Sequence, residues 1–322
     1  MGTEQRSEQQ GRWIPAEGAE GLAQIFIKKA QMLEPNEFSF GPMAGRSEYI
    51  AVNRLFLIPI IERDIIPVEN ANLLDIACAQ GGNTKLLRDF LAQYGKSATI
   101  TGADIDREAV AEGKANVLSK DSIKVDFLLA DARRLPFPRD QFTAALFLNA
   151  LHEIQGQDNK MDALREAARV AKKLYVLSAF TASMFPDRHE FGIWGDLRKN
   201  CFTRLGKQRD RSKPRFEVHS IEEYCEMMNK AGWRIDPGEN VRKETFAINS
   251  EVLKDFSNDK PFLYGFYQDM EDTDEVSFDA KRHAIWDEVE AMEEARRLET
   301  GDPNAMVIFR RTWVLLEAQR VA

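Results

Sequence analysis

Short apolar runs alternate with segments of helical apolar spacing through the middle of this 322-residue chain. Runs of five to eight residues rich in aliphatic side chains are typical of buried strands, and recurrence every three to four residues is typical of helices. The predicted strands are Leu73–Ala77, Ala98–Ala103, Lys124–Leu129, Thr143–Leu148 and Lys173–Phe180, with helices predicted at Thr84–Tyr94, Glu108–Leu118 and Asp158–Ala171. Strands spaced by helices imply a mostly parallel sheet with right-handed crossovers.

Two more strands are predicted beyond this region. Ser220 opens a helix with Glu223 placed for a capping box, and Gly232 ends it. Trp233–Ile235 begins a further strand, and Ala305–Ala318 is predicted as a long closing strand. The fold class predicted is therefore α/β, with a doubly wound, mostly parallel, seven-stranded sheet.

The remaining segments divide the chain into parts. Residues 1–20 are polar and are predicted to be a flexible arm, and residues 21–70 carry helical spacing and are predicted to be an N-terminal helical cap. Residues 71–322 would hold the sheet, with insertions at about 181–219 and 249–304. The second insertion is acidic, with its clearest helix at Ala284–Arg297, and we interpret it as a cap or an oligomer surface, which leaves a homodimer open.

A basic segment lies in the first insertion. Between Arg198 and Arg215 there are eight basic residues against one acid, Asp210. A run of this kind is either a solvated loop or a site for an anionic substrate.

Composition and charge narrow the class of protein. Apolar residues make up 43% of the chain and charged ones 30%, and the net charge of −8 disfavours a protein that coats nucleic acid. Three cysteines without metal-ligand spacing predict reduced thiols, with no disulfide framework and no metal site. The polar start is unlike a signal peptide, and the longest apolar run, Leu55–Ile61, is far below the ~20 residues of a membrane span. We expect a soluble, cytoplasmic protein.

Candidate chemistry follows the carboxyl ends of the predicted strands. The first strand leads through small residues, Ala77 to Gly82, into a helix, which lets the backbone approach a ligand closely. Asp104 ends the second strand, 23 residues after Gly81, where a carboxylate can accept the hydroxyl hydrogens of a ribose. The third strand ends in Asp131-Ala132, suited to an exocyclic amine and a flat ring, and the fourth ends in Asn149-Ala150-Leu151-His152-Glu153.

These motifs, over about residues 72–180, resemble the class I S-adenosylmethionine-dependent methyltransferases. The resemblance implies a small-molecule type of enzyme with S-adenosyl-L-methionine as cofactor. It implies that Asp75 and the segment Ala77, Cys78, Ala79 and Gly81 hold the methionine part, and that Asp104 holds the ribose. It further implies that Ile105 packs on adenine, that Asp131 and Ala132 lie at its amino group and ring, and that Asn149 lies near the sulfonium.

The sequence departs from the family at two glycines. Ala77 and Ala79 stand where the family usually has glycine, so only Gly81 of the three is retained. A dinucleotide-binding dehydrogenase also uses an acid after its second strand, but its glycine fingerprint is missing here. RNA cytosine methyltransferases need a nucleophilic cysteine after the fourth or fifth strand, and none follows here. Nucleic acid is accordingly disfavoured as a substrate.

Two residues are candidates for contact with a substrate. His152 is the one of four histidines next to the predicted cofactor edge, and an ordinary imidazole suits a general base near neutral pH. A helix-start residue that bonds the backbone is the plainer interpretation of His152, and Glu153 is a weaker candidate. Tyr49 could close over the site or simply pack its helix.

Three functions remain open: methylation of a small molecule by in-line displacement in an enclosed pocket, methylation of RNA or protein with the basic segment, and a cofactor-binding role without methylation.

Overall fold

The computed structural model describes residues 47–178, 188–212, 219–250, 253–254, 257–258, 263, 266–267 and 270–321. The predicted arm at 1–20 and the first part of the predicted helical cap lie outside the described residues. The described helices are α1 Ser47–Ile60, α2 Gly82–Gln93, α3 Arg107–Asn116, α4 Gln157–Val170, α5 Arg188–Arg204, α6 Ile221–Lys230 and α7 Phe278–Thr300. The strands are β1 Ala71–Ile76, β2 Ala98–Asp104, β3 Ile123–Leu129, β4 Phe142–Leu148, β5 Ala171–Ser178, β6 Trp233–Arg234, β7 Val241–Asn249 and β8 Ile308–Arg320.

The strands form one sheet in the order β3-β2-β1-β4-β5-β8-β6, and β7 also pairs with β8. Strands β1 to β5 are parallel to one another, and β8 is antiparallel to β5. The predicted doubly wound α/β fold is confirmed. Because chain order reverses between β1 and β4, the crevice at their carboxyl ends is the topological switch point where ligands bind in such sheets.

Helices cover both faces of the sheet, since neighbouring strand residues point to opposite sides. Leu74 and Ile76 of β1 pack with α4 and α6 on one face. Leu73, the alternate residue, packs with α1 and α2 on the other face. The near-continuous apolar runs that predicted these strands therefore reflect burial on both sides.

Local signals set several helix ends. Ser220 and Glu223 form the predicted capping box at the start of α6. Asp106 caps α3 by accepting from the amides of Glu108 and Ala109, at 2.8 and 3.2 Å. Ser277 caps α7, which extends beyond the predicted Ala284–Arg297.

The sheet has eight strands where the sequence predicted seven. Both β6 and β7 pair with β8, at Trp233–Arg320 and from Val241–Leu316 onward, so they are two pieces of one edge interrupted by a turn. Asp236 organises this turn: its carboxylate accepts from the amide of Gly238, and its carbonyl accepts from the amide of Asn240. The additional strand therefore leaves the fold unchanged.

Strands β7 and β8 form a long ribbon. Within the described residues, β5 pairs with β8 from Lys173–Gln319 to Ser178–Val314, whereas β7 continues along β8 to the pair Asn249–Ile308. Because β8 is antiparallel to β5, the unpaired part of the ribbon extends past the carboxyl ends of the parallel strands. The segment between β7 and β8 thus leaves and re-enters the sheet on the ligand-binding side.

The two predicted insertions share one apolar core, which we call the insertion core. Its buried residues are Leu197, Cys201, Phe202, Leu253, Leu263, Phe266, Tyr267, Met270, Ala284, Ile285, Val289, Val307 and Phe309. α5 comes from the first insertion and α7 from the second, so the two are built together. No described helix is both long enough and apolar enough to cross a bilayer.

Candidate active site

The loop after β1 begins with a buried carboxyl group. Asp75 is 1% exposed, and the Thr84 hydroxyl donates to its Oδ2 at 2.7 Å. Burial raises the pKa of Asp75 to about 7, against the lowering effect of the Thr84 hydrogen bond, and the charge of Asp104 raises it further. The Thr84 bond ties the end of β1 to the first turn of α2, which fixes the loop between them.

The loop backbone is left-handed at three positions. Ala77 has φ 56°, Ala79 has φ 47° and Gly81 has φ 82°. This region favours glycine, because a Cβ is crowded there at a cost of about 1–2 kcal/mol per residue. The two positions where the sequence departs from the methyltransferase pattern are therefore ones where the backbone itself favours glycine.

Gly81 also meets a close neighbour. A Cβ on Gly81 would collide with the ring of Phe127 from β3, and Cβ atoms on Gly102 and Gly113 would approach the same ring at 2.6 and 2.9 Å. Phe127 is itself 1% exposed. Three glycines, from the loop, from β2 and from α3, thus form a socket for one aromatic ring, which we call the Phe127 socket.

Cys78 faces this socket and not the open edge of the sheet. Its side chain is buried in a cluster with Val110, Val117 and Phe127. Burial raises the pKa of the Cys78 thiol well above its usual value, with the charges of Asp75 and Asp104 adding to the effect. Cys78 can therefore offer a ligand only its backbone, and its thiol is no nucleophile.

Asp104 lies beside the loop, at the end of β2. Its Oδ2 accepts from the amide of Ala79 at 2.7 Å, and its Oδ1 accepts from the amide of Asp106 at 2.9 Å. A carboxylate has about four acceptor positions, so two remain for a ligand. The predicted ribose acceptor is thus oriented by the loop itself.

The adenine end of the predicted site contains a salt bridge. Arg133 donates to both oxygens of Asp131, at 2.6 Å from Nη2 and 3.0 Å from Nε. This hydrogen bonding lowers the pKa of Asp131, and the other Arg133 nitrogen, Nη1, donates to Asn159 at 2.9 Å. Ile105 is 67% exposed and Ala132 is half-buried at this edge, so apolar surface is available for a flat ring. The sequence did not identify Arg133. Its contact with Asp131 depends on a turn that begins at Asp131, two residues after the end of β3.

Asn149 follows β4 in a left-handed conformation, with φ 60°. Its amide donates to the carbonyl of Leu177 at 2.7 Å, and the residue is 92% buried. The side-chain Oδ1 has no hydrogen-bond partner within the described structure. A buried acceptor without a partner costs free energy unless a ligand or water satisfies it.

His152 lies on a 3-10 turn, Leu151–Glu153, directly after Asn149 and Ala150. It is 1% exposed, and burial lowers its pKa to about 3, with a further effect from the positive charge of Lys160. The imidazole is therefore neutral at neutral pH, and protonating it in this environment is unfavourable. The role of His152 as a base that contacts substrate stays a prediction. Its lowered pKa supports this role less well than the ordinary pKa of an imidazole would.

Glu153 has a different environment from its neighbour. Its side chain is exposed to water, yet the surrounding protein raises its pKa to about 7, and the negative charge of Asp104 adds to the effect. Water can reach Glu153, yet the protein around it disfavours the charged form of its carboxyl group. We interpret this combination as a position inside a cleft. From the sequence, Glu153 was a weaker candidate than His152, because tertiary packing determines which residue of a short turn is exposed.

The remaining candidates are Tyr49 and the basic segment. Tyr49 belongs to α1, and its side chain is outside the described residues. Lys213 and Arg215 of the basic segment are also outside them. Within the described part, Arg204 pairs with Glu288 at 2.7 Å, Lys207 pairs with Asp272 at 2.9 Å, and Arg198 donates to the carbonyl of Phe266. These three cations hold the second insertion to the first.

A polar depression of about 360 Å³ lies elsewhere, near the amino-terminal end of β5. Asp64 at this depression accepts from Lys173, from Tyr175 at 2.7 Å and from Arg63. Hydrogen bonds from these groups outweigh burial and lower the pKa of Asp64 to about 2. The charged groups around Asp64 already pair with one another. We therefore interpret this network as a structural contact that joins the segment after α1 to the sheet.

Comparison with protein families identifies part of this region. Residues 73–173 match the family model described as "Methyltransferase domain". The chain is also 35% identical over 101 residues to the ubiquinone/menaquinone biosynthesis C-methyltransferase UbiE of Pseudomonas paraeruginosa, and 34% identical to that of Pseudomonas aeruginosa. The match covers 31% of this chain and 37% of the length of each relative.

Solved structures share the fold. The YcgJ protein of Bacillus subtilis has a TM-score of 0.52 at 15% identity, covering 86% of this chain and all of that one. The BH2331 protein of Bacillus halodurans has a TM-score of 0.51 at 15% identity, covering 83% of this chain and all of that one. At this identity the likeness concerns the fold alone.

Proposed function

We propose that this protein is a class I S-adenosylmethionine-dependent methyltransferase that transfers the methyl group of this cofactor to a small molecule. The match of residues 73–173 to the family model described as "Methyltransferase domain" supports this proposal. The observation that carries the proposal is the loop from Ala77 to Gly81, whose left-handed backbone is held against Asp104 at the switch point of the sheet. Bound S-adenosylmethionine supplies a methyl group on a positively charged sulfur, which is an activated donor.

The residues present fit this cofactor. Asp104 has acceptor capacity left for ribose hydroxyls, and Asn149 offers a buried Oδ1 that lacks a partner among the described residues. Ile105 and Ala132 offer apolar surface beside Asp131. We therefore assign ribose binding to Asp104, adenine contacts to Ile105, Asp131 and Ala132, and the methionine part to Asp75, Asn149 and the loop residues Ala77, Cys78, Ala79 and Gly81.

Two observations favour a small molecule over a polymer. The β7–β8 ribbon brings the insertion core to the carboxyl edge of the sheet, where it can cover an acceptor. In the basic segment, Arg198, Arg204 and Lys207 are engaged with the second insertion, so they do not form an open cationic mouth. The similarity to C-methyltransferases of quinone biosynthesis, although limited to 101 residues, supports the same acceptor class.

The protein's own contribution is positioning and exclusion of water. In-line displacement needs the acceptor opposite the departing sulfur, and holding two reactants in that geometry accounts for much of the rate enhancement. The loop and Asp104 would position the cofactor, and the insertion core would position the acceptor. An acceptor covered by the insertion core would also be shielded from water, which limits hydrolysis of the donor.

The experiment has two steps. Isothermal titration with S-adenosylmethionine should show one site per chain, and Asp104→Ala should weaken binding by about tenfold or more, as expected for the loss of charge-assisted hydrogen bonds. Glu112→Gln, which changes an exposed carboxyl on α3, is the matched control and should bind as the native protein does.

The second step identifies the acceptor class. Release of S-adenosylhomocysteine would be measured with a panel of phenols, quinols, amines and thiols, and in parallel with mixed RNA and denatured protein. Turnover with a small acceptor supports the proposal. Turnover only with a polymer would contradict it, and so would the absence of cofactor binding by the native protein.

A further inference from the structure

Two carboxyl groups flank the cofactor loop. Asp104 ends β2 and Glu153 ends the turn after β4, and β2 and β4 are the two direct neighbours of β1 in the sheet. The loop that follows β1 therefore lies between them. Both carboxyl groups therefore follow strands that end at the same edge of the sheet. Burial raises the pKa of Glu153, and the negative charge of Asp104 adds to this effect.

No positive charge of the described residues compensates this pair. Asp104 accepts only from the backbone amides of Ala79 and Asp106, and neither carboxyl takes part in an ion pair within the described structure. His152 beside Glu153 is neutral, since burial holds its pKa at about 3. Among the described residues, the positive charge of Lys160 on α4 acts on His152, and the negative charge of Asp104 acts on Glu153.

We propose that Glu153, acting with Asp104, makes this site select the positively charged cofactor over the neutral thioether that methyl transfer leaves behind. This inference rests on the proposed function. S-adenosylmethionine and S-adenosylhomocysteine share the adenine, the ribose and the amino-acid group, and they differ by one methyl group and one unit of positive charge. An unpaired carboxylate at the opening is attracted to the first of these ligands and contributes little to the second.

Selection of this kind favours release of the product, because the product lacks the electrostatic contact that the cofactor makes. It also links binding to pH. Glu153 carries its charge mainly above neutral pH, since the protein around it raises its pKa to about 7. By linkage, a bound cation lowers the pKa of Glu153, so cofactor binding near neutral pH releases protons.

The test is the ratio of the two affinities as a function of pH. Isothermal titration would be performed with S-adenosylmethionine, S-adenosylhomocysteine and sinefungin, in which a protonated amine replaces the sulfonium and no methyl group is transferred. From about pH 6 to about pH 8.5, we expect the preference of the native protein for S-adenosylmethionine over S-adenosylhomocysteine to increase about five- to tenfold. Sinefungin should show the same trend, because charge and not the methyl group is selected.

Glu153→Gln should remove the trend while it leaves the affinity for S-adenosylhomocysteine within about twofold, which also shows that the variant is folded. Glu112→Gln, as control, should keep the native trend. For the native protein, titration in two buffers of different ionisation enthalpy should show net proton release with S-adenosylmethionine near pH 7 and less with S-adenosylhomocysteine. This last measurement does not depend on any variant.

A constant preference across this pH range in the native protein, or an unchanged trend in Glu153→Gln, would overturn the inference while the proposed function stands. Failure of the native protein to bind S-adenosylmethionine at any pH would overturn the proposed function first.

Discussion

Gly102 and Phe127 are complementary in shape, since a Cβ at position 102 would lie 2.6 Å from the Phe127 ring. Gly81 and Gly113 complete the Phe127 socket from the loop and from α3. The socket joins the second and third strands to the loop that would hold the cofactor. A change in any of its members is therefore expected to affect both stability and the loop.

The first prediction tests this fit. Gly102→Ala should lower the free energy of unfolding by about 1–3 kcal/mol, because overpacking forces a buried ring to shift. Phe127→Leu should cost less in the Gly102→Ala background than in the native one, since the smaller side chain makes room for the new methyl group. Gly195→Ala on α5, which meets no atom within 4 Å, is the control and should be neutral or stabilising. Chemical denaturation would measure all four variants, and strict additivity of the two changes would contradict a shared contact.

The second prediction concerns the left-handed alanines. Ala79→Gly should raise the free energy of unfolding by about 0.5 kcal/mol, because relief of the crowded Cβ exceeds the greater entropy of glycine in the unfolded chain. Ala77→Gly should behave in the same way.

The control for these two changes is Ala111→Gly, at an exposed position within α3. It should lose about 1 kcal/mol, because glycine is unfavourable inside a helix. Equal losses at positions 77, 79 and 111 in a denaturation series would show that the loop alanines are not strained.

The third prediction follows from the titration of Asp75. Burial raises its pKa to about 7, whereas an unfolded aspartate titrates near 3.9. Between these two values the folded chain binds more protons at Asp75 than the unfolded chain does, so this group lowers stability progressively as the pH rises.

Asp75→Asn removes that loss and retains an acceptor for the Thr84 hydroxyl. The stability of the variant relative to the native protein should therefore increase by about 2–4 kcal/mol between about pH 4 and about pH 8. Urea unfolding at several pH values would measure the difference, with Glu112→Gln as the exposed-carboxyl control. A constant difference between Asp75→Asn and the native protein would contradict the assignment.

The fourth prediction concerns the contact between the two insertions. Glu288 is 7% exposed and accepts from Asn200 and Arg204, both at 2.7 Å. Glu288→Ala should destabilise the insertion core by about 2–4 kcal/mol, since it leaves Asn200 and Arg204 without their partner.

Lys207→Ala, which breaks a pair with the exposed acids Asp272 and Glu275, should cost at most about 1 kcal/mol. Hydrogen exchange would locate the effects. Glu288→Ala should accelerate exchange in α7 and leave β1 to β5 protected, and uniform acceleration across the chain would show that the insertion core does not open separately.

The part of the fold that could be predicted from sequence is the part governed by local pattern. Strands buried on both faces, such as β1 and β4, are continuous apolar runs, and the Ser220 capping box is a signal within four residues. Strand β7 was missed, because Val241 is followed by Arg, Lys and Glu. Its strand conformation depends on pairing with residues that lie 59 to 75 positions away in the sequence.

The candidate site was predictable to the same degree. Asp104 could be placed at the edge, since parallel strands bring their carboxyl ends together. The opposite environments of His152 and Glu153 could not be predicted, because the rotation of a three-residue turn is set by packing against the sheet. The pairing of Arg204 with Glu288 joins positions 84 residues apart, and no local pattern indicates it.

The pairing of Asn249 with Ile308 at the far end of the ribbon has an evolutionary consequence. The segment between β7 and β8 begins and ends at paired residues of these two strands. It is therefore an insertion between two adjacent antiparallel strands. Segments of other lengths and compositions can be exchanged at that position without disturbing the register of β8 on β5. Replacement of this segment would therefore leave the pairing of the parallel strands unchanged.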